Sequence, residues 1–143
     1  MGAGTVAFNI PGEPVAKGRP RISTRGGFAR AYTPKKTVNF EAKVALAAAD
    51  AMGDRERFEG PVSLIVTVCL PIPQSWSKKK QEQARLKLVR PCSRPDLDNY
   101  IKAVCDGSNE IVWRDDSQVV TLSATKLYSD RPGVCVAVTE CSA

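Results

Sequence analysis

The chain has 143 residues, of which 43% are apolar and 25% charged, with a net charge of +6. These are values of an ordinary globular protein of one domain, residues 1–143, long enough to bury a real core. No apolar run approaches the ~20 residues of a membrane span and no signal-peptide core opens the chain, so the expectation is a cytoplasmic protein without a membrane partner. Its positive balance favours polyanions, nucleic acid first.

In chain order, Thr5 to Ile10 reads as a first strand, stopped by Pro11-Gly12. A Gly/Pro-rich, strongly basic loop then runs to about Tyr32. Thr33-Pro34 has the form of a helix N-cap followed by Pro at the first helical position. The helix it opens carries Phe40, Val44, Ala47, Ala48 and Ala51 on one face and stops near Gly53. From Pro61 to Leu70 the chain alternates, with Val62, Leu64, Val66, Val68 and Leu70 on one side, as in a strand with one buried face.

Ser77 to Leu88 is polar and helix-prone, an exposed helix whose run of three lysines, Lys78 to Lys80, suits either solvent or DNA. Asp98 to Ser108 has helical spacing through Ile101, Val104, Cys105 and Ser108, with Asp98 as its cap. Gln118 to Leu127 alternates again through Val120, Leu122 and Ala124. After a turn at Arg131-Pro132-Gly133, Val134, Val136 and Val138 mark a last strand, so the C-terminal part reads as a hairpin. The sum is an α+β domain, a mixed β-sheet with helices packed mainly on one face.

The chain has no histidine and its five cysteines include no CxxC pair. Ser-His and Cys-His nucleophiles are thereby excluded, leaving carboxylate and Lys chemistry, and the wide cysteine spacing argues against a zinc site. The cysteines read as reduced, structural thiols. Acidic residues, in contrast, crowd between Arg94 and Val120: Asp96 and Asp98 as Asp-x-Asp, then Asp106, then Asp115-Asp116.

Arg94-Pro95 biases the chain towards an extended form, in which residues two apart share a side. Converging carboxylates repel unless a cation fills the gap, and Mg2+ is bound through a few carboxylates, waters and phosphate oxygens. The same residues also suit plainer roles, a cap at Asp98 and a turn at Asp115-Asp116-Ser117. Lys102, one helical turn after Asp98, suits either an ion pair with it or a charge aimed at a phosphate. Asp106 reads as a supporting residue rather than a ligand.

RPDLDNYIKAV followed by WRDDSQV, with IPGEPVAKGRPR and AYTPKK nearer the N-terminus, resembles the RusA family of Holliday junction resolvases, in the version found in phage and prophage members. The likeness runs over nearly the whole chain. It implies a homodimeric crossover junction endodeoxyribonuclease that requires Mg2+, with Mn2+ as the alternative ion. Such an enzyme makes paired nicks in branched, four-way DNA during recombination and repair. Carried over by motif, the metal-binding acids are Asp96, Asp98 and Asp116, and the essential catalytic Lys is Lys102. Asp115 becomes a neighbour of the site.

The basic segment carries Lys17, Arg19, Arg21, Arg25, Arg30, Lys35 and Lys36 and no acid between Pro14 and Asn39, with Phe28 and Tyr32 interleaved. One-signed charge of this density fits an arm that tracks phosphates, and aromatics among the charges can stack on unpaired bases. Lys17, Arg19 and Arg21 lie within the family-like KGRPR and lead that set. The rival readings are a non-catalytic basic DNA-binding module and a basic structural protein of a nucleoprotein assembly.

Overall fold

The computed structural model describes residues 4–18, 21–27, 30–32 and 34–141, with the backbone alone at 21–23, 25 and 30–32. Strand β1 is Thr5–Pro11, and Arg21–Ser23 (β2) pairs antiparallel with Arg30–Tyr32 (β3). Helix α1 spans Lys35–Met52, β4 Val62–Pro71, α2 Lys78–Arg85 and α3 Leu97–Ser108, followed by β5 (Val119–Ser129) and β6 (Gly133–Glu140). The main sheet is mixed and four-stranded, in the order β1-β6-β4-β5.

Alternation explains the layering. Val6, Phe8 and Ile10 of β1, Val62, Leu64, Val66 and Val68 of β4, and Val134, Val136 and Val138 of β6 all turn to one side and are buried. Phe40, Val44, Ala48 and Met52 of α1 and Tyr100, Ile101 and Val104 of α3 close over them. Each such Val, Leu, Ile, Phe or Met side chain contributes roughly 1.5–3 kcal/mol by leaving water. The helices therefore lie on one face of the sheet, as the pattern predicts. Ala51, placed by spacing on the buried face of α1, is exposed; Met52 takes that place.

Three expectations need correction. The C-terminal strands are not a hairpin: β5 pairs parallel with β4, while β6 pairs antiparallel with both β4 and β1. β4 is the strand whose apolar side is buried almost throughout, and a central position pairs both its edges. The peptide steps from Ser129 to Gly133 reach ~13 Å, enough to cross the ~10 Å between strands two apart.

Second, the alternation of β5 does not mark a buried face. Val120 and Leu122 are 63% and 51% exposed, because β5 is the sheet edge and a register irregularity at Val62/Ser63 sets its first residues apart. Third, the basic segment is not all loop. Its centre is the β2–β3 hairpin, with Gly26 and Gly27 at φ 82° and 83° in the connection, a conformation that favours glycine. Of the expected cap, Pro34 occupies the N-cap position, while Thr33 lies outside the described residues.

The contact between α1 and α3 is close. A Cβ on Gly107 would stand 2.6 Å from Val44 Cβ and 2.8 Å from the Glu41 carbonyl oxygen. Only glycine lets the two helices meet there, and the meeting brings Glu41 of α1 beside Asp106 of α3.

Candidate metal and phosphate site

The site is built on one stripe of α3 and one turn. Asp98, Lys102 and Asp106 recur every four residues and so share a face of the helix. Asp96 occupies the N-cap position with extended backbone, and its carboxylate caps nothing. Asp98, expected as the cap, instead lies in the first turn, where a negative charge is favoured by the helix dipole. Among the described residues, neither carboxylate makes a hydrogen bond or ion pair.

The segment leading to Asp96 contains a cis peptide at Arg94-Pro95. It is tied to the sheet by Lys126 of β5, whose Nζ donates to the Ser93 and Pro95 carbonyls at 2.9 and 3.0 Å. A cleft of about 450 Å³ lined by Arg94, Pro95, Asp96 and Asn99 opens beside it.

The second part is the 3-10 turn Asp116–Gln118 that leads into β5. Asp115 is its N-cap: its carboxylate accepts the Ser117 backbone N–H at 3.0 Å. The hydrogen bonds from Ser117 hold the Asp115 carboxyl below its usual range. Gln118 locks the turn from the other side. Its Oε1 accepts the Arg114 and Asp115 backbone N–H groups, and its Nε2 donates to the Phe58 and Gly60 carbonyls at 2.8 and 2.9 Å. Below the turn Trp113 is fully buried, its Nε1 donating to Asn109 Oδ1 at 2.7 Å. Asp115 is thus consumed by structure, while the Asp116 side chain remains half-buried and turned to α3.

Lys102 joins the parts. Its Nζ lies 3.1 Å from Asp106 Oδ1 and 3.5 Å from Asp116 Oδ2. The local alternative, an ion pair with Asp98, is not the one made. Pairing forward to Asp106 is the weaker orientation for an isolated helix, so tertiary charges decide it. The hydrogen bond to Asp106 comes first among the influences that raise the Lys102 pKa, with Asp116 adding to it. Cys105, on the next position of the same helix face, is buried, and burial pushes its thiol up to about 12. It stays protonated at neutral pH and is no nucleophile.

Of the expected DNA contacts, Lys35 and Lys36 are exposed in the first turn of α1, which contains no acid. Two positive charges at a helix N-terminus oppose the dipole, a placement that helix stability does not explain. Arg21 and Arg30 lie on β2 and β3 and Arg25 in the connection between them; Arg19 lies outside the described residues. Lys17 differs from the rest. It is only 22% exposed, and its Nζ contacts Glu41 Oε2 at 2.7 Å and Asp106 Oδ2 at 3.0 Å.

Gln118, Lys126 and Glu41 escaped the sequence reading. Asp115 and Gln118 have the spacing of a capping box, a signal that was present in the sequence. Lys126 and Glu41 carry none, because their partners are remote in the chain.

The family model of Endodeoxyribonuclease RusA matches residues 11–139. The chain is also 45% identical over 140 residues, 96% of its own length and 98% of the relative's, to "Uncharacterized protein YqaN" of Bacillus subtilis (strain 168). With the match running from the end of β1 to the end of β6 and including every residue of the α3 stripe, the chain belongs to the RusA endodeoxyribonuclease family.

Proposed function

We propose that this protein is a divalent-metal-dependent endonuclease that resolves four-way DNA junctions by paired nicks, in recombination and repair. The observation that carries the reading is the family match over residues 11–139, a span that contains Asp96, Asp98, Lys102 and Asp116. Two nicks of matching polarity call for two sites related by a two-fold axis, hence a homodimer. No helix among the described residues is long and apolar enough to cross a membrane, and the proposed place of work is the cytoplasm.

The available donors suit a hard cation. Asp96, Asp98 and Asp116 offer carboxylate oxygen, while the nearby Cys105 thiol is buried and protonated. Mg2+ is the proposed ion, with Mn2+ able to replace it. Bound by these acids, the ion would polarise the scissile phosphate and acidify a water. Among the described residues no three acidic or thiol side chains stand close enough together to hold a metal. Ligation therefore needs the exposed Asp96 and Asp98 side chains to turn towards Asp116. Lys102 already rests beside Asp116 and supplies positive charge where the phosphate gains negative charge. Arg19, Arg21, Arg25, Arg30, Lys35 and Lys36 would hold the DNA backbone.

The unconverged acids also suit a second reading, a basic module that binds DNA without cutting it. Asp116→Asn separates the two. For the nuclease, metal-dependent cleavage of a four-way junction collapses while junction binding persists or tightens. Undiminished cleavage by the purified variant would remove Asp116 from the site, and a wild-type protein that binds but never cuts would favour the module.

A further inference from the structure

Lys17, Glu41, Asp106, Lys102 and Asp116 form one continuous chain of charges. Lys17 Nζ bridges Glu41 and Asp106, Asp106 holds Lys102 through its other oxygen, and Lys102 reaches Asp116. Three carboxylates thus alternate with two ammonium groups. We propose that Lys17, Glu41 and Asp106 are positioning residues that fix the Lys102 ammonium beside Asp116, and that Lys17 is an internal strut rather than a contact to DNA. This rests on the nuclease reading for its catalytic half alone.

The backbone dictates the arrangement. Contact at Gly107 forces α1 against α3 and sets Glu41 and Asp106 near each other. Two carboxylates at that distance repel, and both are about one-fifth exposed, where water screens them incompletely. A cation must enter between them.

The segment that brings Lys17 in is clamped at both ends. The Lys17 backbone N–H donates to the Asn99 carbonyl of α3 at 2.8 Å. The Gly18 N–H donates at 3.0 Å to Thr37 Oγ1 of α1, a hydroxyl only 2% exposed as a residue, which in turn donates to the Ala16 carbonyl. A Cβ at Gly18 would lie 2.8 Å from Pro34 Cγ and 3.2 Å from Thr37 Oγ1, so this segment has no room for a side chain there. Burial opposes the Lys17 charge, yet the hydrogen bonds and charges of Glu41 and Asp106 outweigh it and raise its pKa.

The consequence reaches the site through Asp106. Each of its oxygens holds a different lysine, so its position is fixed from two sides. Without Lys17, the Asp106 carboxylate would face Glu41 uncompensated and draw Lys102 away from Asp116. Without Asp106, Lys102 would lose its shorter contact and keep the 3.5 Å one alone. A misplaced charge of this kind lowers the rate of the chemical step while leaving substrate affinity unchanged.

The test compares Lys17→Met, Lys17→Arg, Asp106→Asn and Glu41→Gln with the wild type, each first checked for folding by thermal melting. Junction affinity is measured in EDTA over a range of salt. The expected salt slope for Lys17→Met equals the wild-type slope; a slope smaller by about 0.9 would identify Lys17 as a phosphate contact and overturn the proposal.

Single-turnover cleavage at saturating protein and Mg2+ is then expected to fall about tenfold for Asp106→Asn and Lys17→Met, with affinity unchanged and most of the rate restored in Lys17→Arg. Wild-type rates in a folded Asp106→Asn protein would overturn the positioning role. Should Lys17→Met not fold, Glu41→Gln decides. It frees Lys17 to engage Asp106 fully, and a rate reduced several-fold at unchanged salt slope is expected; an unchanged rate would refute the chain of charges. Absence of cleavage by the wild type itself would overturn the nuclease reading and the catalytic half with it, while the salt slope still decides whether Lys17 meets DNA.

Discussion

The two ends of the acidic stripe on α3 treat their carboxylates in opposite ways. In its last turns, Asp106 is held by two lysines and lies against α1. At its start, Asp96 and Asp98 are exposed, and among the described residues no cation meets them. A satisfied carboxylate has its partner within the fold. Among the described residues the Asp96 and Asp98 carboxylates, beside a cleft at the helix N-terminus, have no such partner, and they are two of the acids proposed to take a metal ion. The neighbouring acids divide differently: Asp115 caps a turn, whereas Asp116 faces Lys102.

The largest effects should come from the unsatisfied end. On the proposed metal role, Asp98→Asn is expected to reduce metal-dependent junction cleavage by about three orders of magnitude. Its melting temperature should change little, since among the described residues the exposed side chain has no hydrogen bond or ion pair to lose and only its favourable charge at the helix N-terminus, about 0.3–1 kcal/mol, is removed. A variant that melts early but still cuts would reverse the contrast. Lys102→Met is expected to cost about 10²-fold in the single-turnover rate, with junction affinity close to wild type.

The saturated end should respond in stability instead. Gly107→Ala forces a methyl group against Val44 and the Glu41 carbonyl, an overpacking worth about 1–3 kcal/mol. Thermal or denaturant unfolding reads this directly. A neutral result would mean that α1 and α3 part without cost, and that Glu41 and Asp106 are not pressed together. The smallest effect is expected at the arm. Lys35→Gln and Lys36→Gln should each lower the salt slope of junction binding by about 0.9, with no change in the rate at saturation. Loss of slope at Lys17 but none at these two would interchange the roles of strut and arm.

What the sequence conveyed depended on the distance over which each feature is decided. The buried sides of β4 and β6 and of α1 through Val44 are set by residues two to four apart, and their periodicity was readable. The place of β5 was not. Its apolar residues alternate like those of a buried strand, but its neighbour is β4 rather than β6, and strand order is decided between segments far apart in the chain.

The site followed the same division. Asp-x-Asp, Lys102 and the Asp115-Asp116 pair were visible as spacing, and the family resemblance chose among their meanings. That Asp115 caps and Asp116 does not was legible only once Gln118 was seen to close the turn. Lys17 stood among the basic residues of an arm, with no local sign that Glu41 and Asp106 would enclose it.

The measurement that bears most directly on the proposed function uses a four-way junction labelled on each strand in turn. It is incubated with the protein with and without Mg2+, and the nicks are mapped. Symmetrically paired nicks on opposing strands, present only with the metal and lost in Asp116→Asn, are the predicted result. Tight binding of the junction with no metal-dependent nick on any strand would contradict it.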